Sequence, residues 1–286
     1  MPPLTVLLIG DCSRPEFQEA AAALRAECNL VLADDVPQAI ARCAAEERWP
    51  EVIVLAQDRP GQFSPQAVAS LRERWPLARL QALLGPWCEG ETRTGRPWPA
   101  ATRGYWHAWL AAWQRESQRR RTGKLASWAL PVTATEDERL LLAAEDPLGP
   151  RALQPAIVAI DTADLDAAGC LGGVLQQAGY QPLALTATTG RIRGATAGIW
   201  DGRLDLPDGP KRLADFVELL APAPVLALLN FPRPEHLEAS RAAGATGAVA
   251  KPYLIEDLLA ALRQCIDLSR EMVPVQSIAA ASTPGD

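Results

Sequence analysis

The chain alternates short, uninterrupted apolar runs with segments whose apolar residues recur every three or four positions. Residues 4–9, LTVLLI, form such a run and end in Gly10-Asp11. A strand buried on both faces reads this way, because neither face has to meet water. Residues 15–27 then place Phe17, Ala21 and Leu24 on one helical stripe. A second apolar run at 30–32 is followed by Asp34 and Asp35 as capping candidates and by Pro37 near a first turn, opening a helix through Glu47. Apolar runs at 52–55 and 80–84 flank a third helix at 65–74. Strands alternating with helices of this length predict right-handed crossover units on a parallel sheet.

The pattern breaks at Gly85. The stretch GPWCEGETRTGRPWP holds three prolines and three glycines and follows neither period, which predicts a long loop over 85–104. Residues 105–121 then read as a helix in which Trp106, Trp109 and Trp113 share one face. With Trp87 and Trp98, five of the nine tryptophans lie between 87 and 113. Rings so costly to hydrate make either a local core or a partner surface. Because the first sheet lacks an obvious fifth strand, its open edge needs covering, and the tryptophan helix is expected to cover it with Trp109 buried. Residues 127–132 are an alternative source of the missing edge strand. The segment 122–154 reads as a linker with some structure, including Thr135 and Glu138 at capping-box spacing.

The second half repeats the plan. Strands are expected at 156–160, 182–185, 198–200, 225–229 and 247–250, and helices at 164–178, 211–220, 234–243 and 254–268. A further helix between 186 and 197 would be a poor one, since Gly190, Gly194 and four threonines fall there. The last helix is amphipathic, with Ile255, Leu258, Leu259, Leu262 and Ile266 inward. The fold expected is α/β: two flavodoxin-like, doubly wound parallel sheets in tandem, at 1–121 and 155–270, with a disordered tail over 271–286.

Composition narrows the function. A length of 286 residues accommodates two cores. No apolar run approaches the ~20 residues of a membrane span, and the opening MPPLTVLLIG has neither the basic start nor the long apolar stretch of a signal peptide. Six scattered cysteines without a C-x-x-C pair suggest reduced thiols, and hence a cytoplasmic protein. A net charge of −6 argues against general nucleic-acid binding. The one basic run, Arg119-Arg120-Arg121, is expected to be the solvated end of a helix, where the helix dipole favours cations. The two histidines, His107 and His236, are too isolated for a metal site.

In a doubly wound sheet, ligands bind beyond the carboxyl ends of the strands. In the second half those positions hold Asp161, Asp201, Leu229, Asn230 and Lys251-Pro252. The run AAGATGAVAKPYLIEDLLAAL, residues 242–262, resembles the last helix-strand-helix passage of response-regulator receiver (CheY-like) domains. That resemblance implies that Asp201 accepts a phosphoryl group from a histidine kinase, that Asp161 is one Mg²⁺ ligand, and that Lys251 pairs with the phosphate.

The motif is incomplete. Thr162 stands where the family has a second acid, which predicts weak Mg²⁺ binding. Leu229 replaces the Thr or Ser that would touch the phosphoryl oxygens. Anchoring on Pro207 instead would put Arg203 at the acceptor position, and Asp161 and Asp201 also have a plain reading as turn residues at strand ends. In the first half, Asp11 corresponds to one acid, Ala56 is read as standing at the acceptor position, and Asp58 lies two residues beyond. The expectation is a degenerate tandem receiver-like protein of bacterial signal transduction, acting on protein partners rather than as an enzyme, without nucleic acid or membrane, and with a homodimer left open. Two alternatives remain: a phosphorelay regulator phosphorylated at Asp201, and an enzyme using Cys88, Glu89, Glu91, Arg93 and Arg96 of the 85–104 loop.

Overall fold

The computed structural model describes residues 2–90, 98, 99, 101–131, 133–144, 156–185, 192 and 194–272. By its packing the chain divides into two compact units. One comprises Met1–Gly149, Asn230–Glu238 and Val249–Asp257, the other Pro150–Leu229, Ala239–Ala248 and Leu258–Asp286. Among the described residues no helix is long and apolar enough to cross a membrane.

The first sheet is built from β1 (Thr5–Ile9), β2 (Asn29–Ala33), β3 (Val52–Gln57), β4 (Arg79–Leu84) and β5 (Thr102–Tyr105), in the order β2-β1-β3-β4-β5. All its pairings are parallel. Every residue of the central β3 is buried, as the unbroken apolar run requires. Alternate side chains divide between the two faces. Val6, Leu8, Val52 and Val54 meet α1 (Pro15–Glu27) and α4 (Trp106–Arg121) through Phe17, Leu24, Trp109 and Trp113. Leu7, Ile9, Ile53 and Leu55 meet α2 (Val36–Ala45) and α3 (Pro65–Arg74) through Ala39, Cys43, Val68 and Leu71. Local chemistry starts these helices where the strands end. Proline lies in the first turn of all three of α1, α2 and α3. The Asp35 carboxylate accepts from the Gln38 N–H at 2.8 Å, and the Ser64 hydroxyl from the Ala67 N–H at 3.1 Å.

The fifth strand comes from a place the periodicity does not mark. Residues 102–105, TRGY, leave the end of the expected 85–104 loop and pair with β4, Gln81 opposite Thr102 through Leu84 opposite Tyr105. As a partly exposed edge strand it needs no apolar alternation, which is why the sequence conceals it. Residues 127–132 do not supply that strand. Ser127–Ala129 is a single 3-10 turn, and it carries Trp128 against Trp113.

The tryptophan helix is core. Trp106, Trp109 and Trp113 are 8%, 4% and 2% exposed. The rings of Trp109 and Trp113 stack at 5.3 Å, and those of Trp113 and Trp128 at 4.8 Å. Of the two readings, local core or partner surface, burial leaves these three rings the packing role, with Trp109 buried as expected. Trp98 is half-buried and meets Phe63 edge-on at 6.0 Å, whereas Trp87 is exposed. The basic run is also less solvated than expected, because Arg119 is buried and donates from Nε to the Leu125 carbonyl at 2.9 Å. Beyond it lies α5 (Glu136–Ala144), whose Thr135 and Glu138 form the reciprocal capping box.

The second sheet contains β6 (Ile157–Thr162), β7 (Gln181–Ala184), β8 (Ala197–Asp201), β9 (Val225–Asn230) and β10 (Gly247–Lys251), in the order β10-β9-β8-β6-β7. Its helices are α6 (Leu165–Gln177), α7 (Gly209–Leu220), α8 (Pro234–Ala242) and α9 (Ile255–Met272). Leu213, Phe216 and Leu220 of α7 and Leu258, Leu259 and Leu262 of α9 are buried, but Ile255, at the first position of α9, is 44% exposed. Most of the poor helix expected at 186–197 lies outside the described residues, and the expected tail does so from 273 onward. Each sheet, taken in its own strand numbering, follows the flavodoxin and CheY order 2-1-3-4-5.

Trp109→Ala should cost the folded state about 3–5 kcal/mol, the range for removing a large buried aromatic. Urea unfolding of the full chain measures it, and an unchanged midpoint would contradict the packing role.

Candidate functional site

In the second sheet the carboxyl ends of β6, β8 and β10 carry Asp161, Asp201 and Lys251, and Lys251 precedes Pro252 through a cis peptide. Register decides which of them are neighbours. Asp201 is the last residue of β8 and lies opposite Thr162 on one side and Leu228 on the other. Residues opposite one another in a parallel pair share a face, so Thr162 is the residue beside Asp201, while Asp161 lies opposite Trp200. Leu229, one residue past that row, is 3% exposed and brings methyl groups where the family has a hydroxyl. Arg203 lies beyond the strand and pairs with Asp205 at 2.6 Å, so the strand ends on Asp201 and not on Arg203.

Two local features hold this edge. The Thr162 hydroxyl accepts the Asp164 N–H at 3.2 Å, and Asp164 accepts the N–H groups of Asp166 and Ala167 to cap α6. The ring of Trp200, 1% exposed, lies over Gly202, where an added Cβ would come within 2.2 Å of it. Only glycine leaves that approach open. Burial raises the Asp161 carboxyl above its usual range, with Arg212 pulling the other way.

Mg²⁺ does not fit this set. The receiver arrangement brings three carboxylates together, but here Thr162 takes one place and spends its oxygen on the helix cap. Among the described residues no group of three or more His, Cys, Asp or Glu comes together. A hard dication held mainly through carboxylate oxygens is left with too few of them.

The first sheet shows the same edge with different chemistry. The Glu51 N–H donates to the Thr5 carbonyl just before β3 as the Thr196 N–H donates to the Ile157 carbonyl just before β8, so Leu8 opposite Val54 corresponds to Ile160 opposite Ile199. Two residues further on, Ala56 takes the place that Asp201 has in the second sheet. The outer pairing agrees, since Ala56 lies opposite Leu83 as Asp201 lies opposite Leu228. The acceptor-equivalent residue is therefore Ala56, a methyl group in place of a carboxylate. Gln57 is 1% exposed and its amide donates to the Cys88 sulfur at 3.4 Å. Gly10, at φ +132°, passes so close to β3 that a Cβ would come within 2.4 Å of the Ala56 carbonyl oxygen.

An ion-pair chain runs along this edge. Arg14 reaches Glu16 at 2.7 Å and Asp58 at 3.1 Å, so the nearest acid after β3 is neutralised by the start of α1. Asp11 accepts from both the hydroxyl and the N–H of Ser13, which lowers its carboxyl below the usual value.

The loop alternative is only partly placed. Glu91, Arg93 and Arg96 lie outside the described residues, whereas Cys88 is fully buried beneath Gln57. His107 stacks on Tyr105, and its Nε2 lies 3.9 Å from a Glu89 oxygen. Burial pulls the His107 imidazole down to about 4 and pushes the Glu89 carboxyl up. At neutral pH His107 is uncharged, so this approach is not an ion pair. Pairing thus gives Ala56, the residue the sequence reading placed at the acceptor position, while the buried contact of Gln57 with Cys88 is what that reading missed.

Two measurements address the second sheet's edge. A carboxyl whose folded-state pKa is raised costs stability where it is ionised, above that pKa, and costs nothing below its unfolded value. Asp161→Asn should therefore raise the urea midpoint at pH 7, with the gain shrinking as pH falls toward 4. A pH-independent gain would show that ionisation is not its source. Tryptophan emission should give no saturable response to micromolar Mg²⁺; such a response, abolished by Asp161→Ala, would restore the metal site.

No family model matches the chain, and no curated protein does. Among solved structures it is similar to a response regulator receiver domain protein from Clostridium thermocellum, at 16% identity over 42% of this chain and 99% of that one, with a TM-score of 0.34. A response regulator from Burkholderia multivorans matches at 23% identity over 39% of this chain and 94% of that one, with a TM-score of 0.29. A two-component system response regulator/GGDEF domain protein matches at 13% identity over 93% of this chain and 99% of its own, with a TM-score of 0.33. The chain's own strand order, repeated in both sheets, is what identifies its fold as two flavodoxin-like, doubly wound parallel α/β sheets.

Proposed function

We propose that the protein is a degenerate tandem receiver of bacterial, cytoplasmic signal transduction, acting through contacts with protein partners rather than through phosphoryl transfer or catalysis. One observation carries this reading. At the two register-equivalent acceptor positions the chain has Ala56, a methyl group, and Asp201, flanked by Thr162 and Leu229. A methyl group has no oxygen to attack phosphorus. A carboxylate without a well-bound cation and a hydroxyl beside it lacks the positive and hydrogen-bonding groups that stabilise a transferring phosphoryl group.

What such a domain keeps is its surface. A doubly wound sheet presents the same helices and loops whether or not its carboxyl edge is chemically active, and function resides in the site rather than in the fold. The second reading, a phosphorelay regulator that takes phosphate from a histidine kinase at Asp201, draws support from Asp161, Asp201 and Lys251, each within the last two residues of a strand of the second sheet.

Incubation of the full chain with acetyl phosphate and Mg²⁺, followed by intact-mass measurement, separates the two. The proposal expects no phosphoryl adduct and equal recovery of a signalling partner by wild type and Asp201→Asn. A stoichiometric adduct that Asp201→Asn abolishes would establish the phosphorelay reading instead.

A further inference from the structure

The amino-terminal edge of the first sheet, opposite the edge that receivers use for chemistry, holds a cleft of about 530 Å³. Its walls come from the turns that precede β1, β3 and β4 and from the chain leaving α4. Trp75 and Trp128 are buried at its base, while Trp49, Leu77 and Leu125 are 69%, 89% and 50% exposed around it. An exposed indole and two exposed leucines on one rim exceed the scattered apolar residues of an ordinary surface.

The polar groups at this cleft are unbalanced in charge. Arg79, Arg120 and Lys124 line it, and Glu51 is the one carboxylate among the lining residues. Glu51 is already engaged: one oxygen accepts the Thr5 N–H at 3.1 Å, and the other lies 4.0 Å from Arg120. Arg120 also donates to the Pro2 carbonyl. Arg79 is steadied by one Nη2 bond to the Ala129 carbonyl at 3.3 Å, and a guanidinium carries five N–H donors. In a chain with a net charge of −6, the cleft is thus a local cationic site with aromatic walls.

We propose that this cleft binds a small organic anion with a flat, largely apolar body, the body lying among Trp49, Trp75, Trp128 and Leu77 and the anionic group reaching Arg79 and Lys124. The volume falls within the range of small-molecule pockets, and aromatic walls with a few polar groups are their usual lining. Charge complementarity selects an anion over a neutral or cationic ligand. The site is independent of the acceptor edge, so its ligand can bind whatever the fate of Asp201.

The test uses the full chain and two related probes, the anionic 8-anilinonaphthalene-1-sulfonate and the neutral N-phenyl-1-naphthylamine, followed by fluorescence. The anion should bind saturably, one per chain, and more tightly than the neutral probe. Arg79→Gln and Lys124→Gln should each weaken it about threefold and together about tenfold, since an exposed ion pair contributes no more than roughly 1 kcal/mol. Neither substitution should change the neutral probe's affinity, and Trp49→Ala should weaken both probes, with circular dichroism confirming that each variant is folded. Equal affinity for the two probes, or no effect of the double substitution, would overturn the proposal. So would sedimentation showing that the cleft closes on a second copy which the sulfonate does not displace.

Discussion

A parallel strand in the middle of a sheet has to be covered on both faces, and most of this structure follows from that requirement. It makes β3 and most of β8 continuous apolar runs, since each residue faces either one helical layer or the other. It also confines polar chemistry to the strand ends, where the chain first leaves the covered region. Asp201, Gln57 and Lys251 are found there, as are the ion-paired Asp58 and the capping Asp164. A residue one step earlier on such a strand is committed to packing: Trp200 and Ala56 each precede an end-of-strand polar residue and are wholly core.

The same requirement accounts for the tryptophan cluster. The first sheet, like any parallel sheet, has two faces to cover. The first sheet meets it with large rings on α4, packed against the small and apolar residues of α1, Ala20, Ala21 and Leu24. Indoles cover more area per residue than aliphatic side chains, and stacking adds to their burial.

Strands and helices that obey a period were legible in the sequence, and so was the plan of two doubly wound sheets. The failures share a cause. TRGY has no period because an edge strand need not have one, and SWALPV looks like a strand because its apolar residues pack as a turn against Trp113. Arg119 was read as solvated because its burial depends on the Leu125 carbonyl after the helix, which no helical period encodes. The cleft was invisible for a related reason, as residues 49, 77 and 125 meet only after three separate crossovers have been made.

The stacked rings of Trp109, Trp113 and Trp128 have an optical consequence. Parallel indoles about 5 Å apart couple their electronic transitions, so the column should leave a paired signature in circular dichroism that an isolated tryptophan does not give. Trp128 ends the column and also forms part of the cleft wall. Any displacement of that turn therefore changes the coupling, and the first domain carries a built-in gauge of its own conformation that requires no label.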